Sequence, residues 1–340
     1  MGRKTIIISR TDGIGDVILS LPVAGVLKKL YPDCKIIFLG KTYTQQIIKT
    51  CKYVDEFVDW DKLKQKENYI ETIKNLKADI LIHVFPNKNI ARAAKRAKIP
   101  IRLGTTNRLY HWNTCNKLVR LSRKNSPYHE AQLNLKLITP LGAKKLYNLN
   151  EIPDYYGFTN IKSLTQEFEK ILSKDKLNLI LHPKTKGSAQ EWGIANFAKL
   201  IEILPYNKFK IFITGTYKES EIIKEFLIKK HPYITDLTGK LTTEELISFI
   251  SCADVIVAAS TGPLHIAAAL DKYAIGLYSP VKPIFPVRWA PLGHNASFIV
   301  ENKSYFKHKK INKYGQIKNI KPELVKDKLM SLKIKKSNFV

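Results

Sequence analysis

The 340 residues, 44% of them hydrophobic, suit two folded domains of roughly 150 residues rather than a single core. No apolar run approaches the roughly 18 residues that a membrane-spanning helix needs, and the apolar run after Lys4 is too short for a signal peptide, which predicts a cytoplasmic protein. The excess of 57 Lys and Arg over 29 Asp and Glu predicts an acidic partner, unless a lysine-rich genome explains part of it.

The first half of the chain alternates short apolar runs with helical periodicity. Strands are predicted at 5–9, 35–39 and 79–85, with a helix at 17–31 between the first two. This alternation is typical of βαβ units and indicates a parallel sheet.

The alternation weakens between residues 148 and 157, where we predict the connection between two domains. A second series of strands follows at 177–181, 209–214, 253–258 and 273–278. The predicted fold is therefore α/β, with two Rossmann-like domains whose parallel sheets face each other across a cleft. The predicted domains are 1–155, 156–320 and a basic C-terminal tail or helix at 321–340, and loops at the carboxyl ends of strands are expected to carry the chemistry.

The loop after the first strand, residues 10–17, contains two glycines and two carboxylates. A dinucleotide-binding loop would have a third glycine at Ile18, and Asp16 would repel a pyrophosphate at the helix start. Asp16 is either a helix N-cap or a general base that accepts a proton from an acceptor hydroxyl, with Asp12 as the second candidate. The remaining residues assigned to the acceptor side of this loop, beside Asp12, are Arg10, Thr11 and Gly15.

Residues 86–125 contain eleven cations and no carboxylate, which predicts an anion-facing surface. The last forty residues hold twelve lysines against three carboxylates, so this end is either solvated or held against an acidic surface.

The strongest local signal is a buried-looking strand that ends in small residues before an apolar helix, at 257–266. Backbone N–H groups and the hydroxyls of Ser260 and Thr261 would converge at a positive helix end that suits a diphosphate. Gly262 opens this helix, and His265 lies in its first turn, where it either assists binding or packs as a hydrogen-bonded histidine.

Two further loops after predicted strands carry polar residues. Lys184, Thr185, Lys186 and Gln190 belong to the loop at 182–192, which either neutralises a departing nucleotide phosphate or is solvated. Glu219, in the loop at 214–221, either binds hydroxyls of ribose or sugar, or serves as a helix-start acid.

No metal site or cofactor is predicted. Asp59-Trp60-Asp61 has the form of a metal-nucleotide motif but lies before a lysine-rich helix, and the four cysteines are scattered without histidines at ligand spacing. The sequence also lacks the motifs of serine hydrolases, zinc proteases and P-loop proteins.

In order and spacing, these segments resemble the ADP-heptose:lipopolysaccharide heptosyltransferases of glycosyltransferase family nine. The resemblance covers residues 5–300 and includes Gly15-Asp16, Arg102-Leu103-Gly104, His129-Glu130, Leu237-Thr238-Gly239 and the segment Ser260 to His265. Two positions depart from the family pattern: Ser260 replaces a frequent carboxylate, and Gln190 replaces a frequent lysine.

The resemblance implies a GT-B fold and an inverting, metal-independent transfer from ADP-heptose, with Asp16 as the base. It implies that Thr261, Gly262 and His265 contact the donor diphosphate, and that Glu219 lies near the ribose. The acceptor would be a phosphorylated lipid A core at the inner leaflet of the cytoplasmic membrane, where the protein would be peripheral. The cations that we assign to this acceptor are Arg96, Lys98, Arg102, Arg108, Arg120 and Arg123.

Three alternatives remain. The same scaffold could transfer another sugar or use another surface glycan. A nucleic-acid-binding protein fits the charge, but the sequence lacks zinc-finger, helix-turn-helix and RNP motifs, so no nucleic acid is expected. A catalytically silent glycan-binding relative is disfavoured by Asp16.

Overall fold

The computed structural model describes residues 3–124, 126–302, 317 and 319–334, and the chain divides into two compact units, Met1–Asn160 and Ile161–Val340. Each unit builds a six-stranded sheet in which all recorded strand pairs are parallel. The predicted α/β class with parallel sheets is confirmed.

The described strands of the first unit follow the order β3-β2-β1-β4-β5-β6. They are β1 (Thr5–Ser9), β2 (Lys35–Gly40), β3 (Glu56–Asp59), β4 (Ile80–His83), β5 (Ile101–Thr105) and β6 (Lys117–Val119). The helices are α1 (Ile14–Ile18), α2 (Leu21–Leu30), α3 (Gln45–Lys49), α4 (Trp60–Leu63), α5 (Tyr69–Asn75), α6 (Lys88–Arg96), α7 (Leu109–Thr114) and α8 (Glu130–Lys136).

The second unit repeats this order as β12-β11-β10-β7-β8-β9. Its strands are β7 (Leu177–His182), β8 (Phe209–Ile213), β9 (Thr235–Asp236), β10 (Val255–Ala259), β11 (Tyr273–Tyr278) and β12 (Ala296–Val300). Its helices are α9 (Gln166–Glu169), α10 (Ile194–Ile203), α11 (Ser220–Ile223) with a π-helical turn at Lys224–Ile228, α12 (Thr243–Cys252), α13 (Gly262–Ala269), α14 (Pro286–Trp289) and α15 (Pro322–Met330).

Apolar periodicity explains how the helices pack. In α6, Ile90, Ala91, Ala93 and Ala94 are buried, whereas its lysines and arginines are exposed. Ile90, Ala93 and Ala94 join a core of strand and helix side chains on one face of the first sheet. Helical spacing therefore separates the cations of α6 from its core face.

The helix predicted at 17–31 is broken into α1 and α2. Pro22 has no N–H to donate to the preceding turn, so it favours the first turn of a new helix. The Ser20 hydroxyl donates to the carbonyl of Val17 at 2.6 Å and satisfies one acceptor at the break.

The units divide five residues beyond the predicted boundary at 155. Residues 157–160 stay with the first unit because their backbone pairs with its chain. Lys52 N–H donates to Gly157 at 2.7 Å, and Thr159 and Asn160 N–H donate to Thr50 at 3.0 and 2.9 Å.

The segment predicted as a tail or helix at 321–340 contains α15, whose Val325 and Leu329 are buried in the core of the second unit. The lysines at 335 and 336 lie outside the described residues. Within the part of the chain that the structure describes, no helix is long and apolar enough to cross a bilayer.

His83, the last residue of β4, is fully buried against His111, with ring centroids 5.2 Å apart. Neither of its ring nitrogens has a hydrogen-bond partner among the described residues. Burial lowers the pKa of His83 to about 3, with smaller contributions from His111 and Arg102.

We expect His83 to make the protein less stable in mild acid. Below pH 6.5 the unfolded chain protonates this imidazole and the folded chain does not, so stability is full above pH 6.5 and falls as the pH drops toward 3. Between pH 7.5 and 5.0 the loss from His83 is about 2 kcal/mol. Urea unfolding should show that His83→Phe reduces this pH dependence and that His294→Phe, at an exposed histidine, does not. An unchanged dependence in His83→Phe would contradict the assignment.

Candidate active site

The loop after β1 is organised around the buried guanidinium of Arg10, whose side chain is 2% exposed. Nε and Nη2 donate to Asp12 at 2.8 and 3.0 Å, and Nη2 also donates to Asp16 at 2.6 Å. Nη1 donates to Glu130 and Asn134 of α8 at 3.2 and 3.0 Å. All five donors of Arg10 are therefore occupied by protein acceptors.

The predicted role of Arg10 in binding the acceptor is corrected by this arrangement, because a buried guanidinium with five protein acceptors has no donor left for a ligand. Arg10 instead positions the two carboxylates of its own loop against α8.

Arg123 joins the same network from the segment after β6. It donates to Glu130 at 3.0 Å and to Asn134 at 2.8 Å. Two guanidinium groups thus face three carboxylates, those of Asp12, Asp16 and Glu130, so the cluster carries one excess negative charge when all are ionised. Arg123, which we predicted to contact the acceptor, is 80% buried and linked to this cluster.

Asp16 lies in the first turn of α1 and keeps 27% of its side chain exposed. Gly13 occupies the N-cap, and the Asp16 carboxylate bonds Arg10 rather than capping the helix. Burial raises the pKa of Asp16 to about 6, opposed by the positive charge of Arg10 and assisted by Asp12 and Glu130. A carboxylate with this pKa is ionised at neutral pH and is a stronger base than an exposed aspartate.

The other residues of this loop have distinct places. Asp12 is 21% exposed, and its carbonyl accepts a hydrogen bond from the Tyr43 hydroxyl at 2.6 Å. Thr11 is buried, whereas Gly15 is half-buried. Asp12 and Asp16 are therefore the loop carboxylates that a ligand can reach.

The topology separates the six cations that we assigned to the acceptor. Arg108 follows β5 and Arg120 follows β6, so both lie at the carboxyl edge of the sheet, with the loop of Asp16. α6 returns antiparallel to the strands, which brings Arg96 and the following Lys98 to the amino edge.

Arg102 lies near the amino end of β5 and bonds protein carbonyls, including Thr114 at 2.7 Å. Arg96, Lys98 and Arg102 therefore lie at the opposite edge of the sheet from Asp16, and their contact with the acceptor stays a prediction.

In the second unit, Thr261 occupies the N-cap position of α13, at the carboxyl end of β10, without a capping bond from its side chain. Its side chain is 5% exposed, and its hydroxyl has no hydrogen-bond partner among the described residues. Gly262 is the first residue of α13, and His265 is buried in its first turn. Free N–H groups and an unsatisfied hydroxyl at a helix N-terminus form an anion-binding arrangement.

The loop after β7 lies beside this helix start, because β7 and β10 are neighbours. The Ser188 hydroxyl donates to the carbonyl of Thr185 at 2.8 Å and lies 3.4 Å from the carbonyl of Ser260, so the two loops are in contact. Lys184 forms an ion pair of 2.5 Å with Glu191, whose carboxylate also accepts from Thr185 N–H at 3.1 Å.

Lys186 is exposed in a left-handed turn (φ 51°), and within the described residues it has no ion pair. Lys186 is therefore the more available charge, since Lys184 is already compensated by Glu191. Gln190 is half-buried in the same loop.

Glu219 takes the helix-start role that the sequence left open. Its carboxylate accepts from the N–H and hydroxyl of Thr216 at 2.7 and 2.8 Å, and its side chain is buried. Contact with a ribose stays a prediction.

Sequence reasoning missed Glu130, Asn134 and Ser279 as site residues. Glu130 and Asn134 are buried polar residues four positions apart in α8, and this spacing places them on one helix face. That spacing was the available signal. Ser279 follows β11, and its buried hydroxyl, like that of Thr261, lacks a partner in the described part of the chain.

No group of three or more His, Cys, Asp or Glu among the described residues is arranged to hold a metal ion. The motif at 59–61 has a structural role: the Asp59 carboxylate caps α4 by accepting from the N–H groups of Asp61 and Lys62. Asp61 pairs with Lys64 at 3.0 Å.

Comparison with known proteins gives consistent matches. Residues 68–318 match the family model of glycosyltransferase family 9 (heptosyltransferase). Lipopolysaccharide heptosyltransferase 3 of Escherichia coli is 25% identical over 299 residues, which cover 83% of this chain and 84% of that protein.

Two solved structures share the fold over nearly the whole chain. A glycosyl transferase family 9 protein from Veillonella parvula has a TM-score of 0.74 at 21% identity, covering 95% of this chain and 94% of that one. The E. coli heptosyltransferase WaaC with ADP has a TM-score of 0.72 at 18% identity, covering 96% and 99%. The predicted GT-B fold class is confirmed.

We expect Arg10→Met to disrupt the carboxylate cluster. Removing the buried cation leaves Asp12 and Asp16 without their ion pair and Glu130 with Arg123 alone, which lowers the free energy of unfolding by about 3–5 kcal/mol. It also raises the pKa of Asp16, since the charge of Arg10 opposes that rise. Denaturant unfolding and ¹³C NMR titration of the aspartate carboxyls measure both effects.

The control is Arg3→Met, because Arg3 is exposed and donates only to the carbonyl of Asp33 among recorded bonds. Its unfolding free energy should stay within about 0.5 kcal/mol of the unmodified protein. If Arg10→Met is too unstable to titrate, Arg10→Lys keeps the charge while losing most of the hydrogen bonds. An Asp16 pKa that stays constant in Arg10→Met would refute the proposed coupling.

Proposed function

The chain belongs to glycosyltransferase family 9, the heptosyltransferase family, and on this premise we propose that it transfers a heptose from ADP-heptose to a phosphorylated lipopolysaccharide core acceptor. The proposed reaction inverts the anomeric centre and uses no metal. The E. coli relative is a lipopolysaccharide heptosyltransferase by name, and the WaaC structure contains ADP, which supports this choice of donor and pathway.

The observation that carries the proposal is the carboxylate of Asp16. It is partly exposed at the carboxyl edge of the first sheet, held by Arg10 at 2.6 Å, and has a pKa raised to about 6. A base in this position is ionised in the cell and accepts a proton when a hydroxyl attacks.

In the proposed step, the acceptor hydroxyl oxygen attacks the anomeric carbon on the face opposite the nucleotide. The bond from that carbon to the diphosphate oxygen breaks, and the hydroxyl proton passes to Asp16. The cluster of three carboxylates and two guanidinium groups becomes neutral overall when it takes up this proton. Arg10 fixes the direction of the Asp16 carboxylate and does not contact the substrates.

The leaving nucleoside diphosphate gains negative charge as the bond breaks. We assign its stabilisation to the N-terminus of α13, the Thr261 hydroxyl and Lys186. Buried Thr261 is suited to this role because its hydroxyl has no other partner in the described residues. A helix N-terminus and a lysine together supply the stabilising charge without a metal.

On the acceptor side, we assign phosphate contacts to Arg108 and Arg120, which are exposed at the same sheet edge as Asp16. The acceptor we propose is an anionic glycolipid, presented to the enzyme at the inner leaflet of the cytoplasmic membrane.

A second candidate is transfer of a different sugar on the same scaffold. Ser260 and Gln190 favour it, because the resemblance places a carboxylate and a lysine at these donor-side positions in many family members. Calorimetric titration with ADP-, UDP- and GDP-sugars separates the two candidates. Selective binding of another nucleotide sugar would support the second, and binding of none would remove both.

We expect Asp16→Asn to lower kcat by about 10²–10⁴-fold, because the amide cannot accept the proton. The affinity for the donor should be unchanged. Turnover assays with ADP-heptose and a phosphorylated core acceptor, with calorimetry for ADP, test this. The matched control is Asp61→Asn, which removes a carboxylate outside the site. Equal losses of donor affinity and turnover in Asp16→Asn would argue against a base.

We expect Thr261→Val to weaken ADP binding about tenfold, which is the worth of one hydrogen bond to a charged group. The melting temperature of the unliganded protein should not fall, because the lost hydroxyl has no partner there. Thr105→Val is the control, since the Thr105 hydroxyl is also buried and without a recorded partner but belongs to the first unit. Unchanged ADP affinity in Thr261→Val would contradict the assigned donor site.

A further inference from the structure

Helix α7 presents two large apolar side chains to solvent. Leu109 is 88% exposed, the highest value among the large apolar side chains of the described residues, and Trp112 is 60% exposed. Three positions apart, they lie on one helix face. The Trp112 indole N–H donates to the carbonyl of Thr106 at 2.9 Å, so the ring is held in place while its face stays in water. Both side chains therefore keep more than half of their surface in solvent.

Cations lie at the same edge of the sheet as this pair and have no acidic neighbours in sequence. Arg108 immediately precedes α7, Lys88 begins the adjoining α6, and Arg120 and Lys124 follow β6. All four are exposed, and in the described ranges none of them forms an ion pair. Residues 86–124 contain no Asp or Glu that could compensate them.

These features share the edge of the sheet that carries Asp16. Lys88, Leu109 and Lys124 follow β4, β5 and β6, and the carboxyl ends of parallel strands meet at one edge. Two more exposed aromatic residues, Tyr43 after β2 and Phe85 after β4, lie at this edge as well. The part of this edge that follows β4, β5 and β6 is therefore both apolar and basic.

We propose that this α7 surface, defined by Leu109, Trp112, Lys88 and Lys124 and lying beside the acceptor cations Arg108 and Arg120, docks the enzyme on an anionic lipid bilayer. Leucine and tryptophan side chains enter the headgroup–acyl boundary, and the cations bind lipid phosphates. The role of this surface rests on the proposed function, because docking at this edge brings a lipid-linked acceptor to the side of the sheet where Asp16 lies.

Charge and apolarity together select the bilayer over other acidic partners. A nucleic acid would engage the cations but would leave a leucine that is 88% exposed in water. A bilayer with anionic headgroups can bind the apolar side chains and the cations together. Each cation near its surface strengthens binding by about fivefold.

Co-sedimentation with acceptor-free vesicles tests the proposal directly. The protein should bind vesicles of phosphatidylcholine with phosphatidylglycerol much more strongly than vesicles of phosphatidylcholine alone. Brominated lipids should quench Trp112 fluorescence, since Trp60 and Trp192 are buried and the half-buried Trp289 belongs to the second unit. The quenching should disappear in Trp112→Phe. Absence of binding to anionic vesicles, or quenching that persists in Trp112→Phe, would overturn the proposal.

Two double variants separate the apolar and charged contributions. Leu109→Ser/Trp112→Ser should lower vesicle binding at least tenfold, because neither apolar side chain is then present to enter the bilayer. Leu324→Ser, at a leucine 51% exposed in α15, should bind like the unmodified protein. Lys88→Ser/Lys124→Ser should lower binding by more than tenfold and weaken its dependence on phosphatidylglycerol.

The charge-matched control is Lys95→Ser/Arg96→Ser, which removes two exposed cations from the amino-edge end of α6. Equal losses in this control and in Lys88→Ser/Lys124→Ser would show attraction by net charge alone and overturn a defined docking surface. Binding of a protein partner that Leu109→Ser/Trp112→Ser abolishes, with no vesicle binding, would overturn it in favour of a protein interface.

Turnover distinguishes docking from acceptor contact. Leu109→Ser/Trp112→Ser should keep the rate with a deacylated, water-soluble acceptor and lose at least tenfold with the same acceptor embedded in vesicles. Equal loss with both acceptors would assign these residues to acceptor binding instead. Vesicle binding as expected, with no heptose transfer to any acceptor, would refute the proposed function and leave the docking surface standing.

Discussion

The first unit depends on the compensation of one buried positive charge. Arg10 lies directly after β1, where its guanidinium is shielded from water, so its charge requires nearby carboxylates. Asp12 and Asp16 supply two from the same loop, and Glu130 supplies a third from α8. The two glycines of this loop allow many backbone conformations, and the bonds to Arg10 restrict the loop to one of them. Asp16 stays partly exposed, and burial, with the charges of Asp12 and Glu130, raises its pKa to about 6 although Arg10 opposes the rise.

The two units share one strand topology, but their candidate sites are suited to opposite charges. Both sheets have the same strand order, and in both the functional loops follow the strands at its centre. The first unit collects an excess of carboxylate charge around Arg10 and Arg123. The second offers backbone N–H groups, the Thr261 hydroxyl and Lys186, which suit an anion. A transferase needs both, a base for the incoming hydroxyl and a site for the leaving diphosphate.

The positive charge of the chain is distributed unevenly over its surface. Helix α6 carries cations from the carboxyl edge to the amino edge of the first sheet, so neighbours in sequence serve different surfaces. Lys88 and Arg108 lie at the edge of Asp16, near exposed Leu109 and Trp112, whereas Arg96 lies at the other. Net charge predicts an acidic partner, but only the distribution of cations between the two edges of the sheet indicates which face binds that partner.

The sequence by itself determined the α/β class, most strand positions, the loops that carry the candidate chemistry and the family. Apolar periodicity, loop glycines and the order of motifs are local signals, and they are readable in one dimension. Only the tertiary structure decided that Arg10 is buried and bonded to two carboxylates of its loop, that Glu130 and Asn134 join it from α8, and which cations share an edge with Asp16. The physical reason is distance along the chain: Glu130 meets Arg10 across 120 residues, and burial and pairing exist only once such segments pack together.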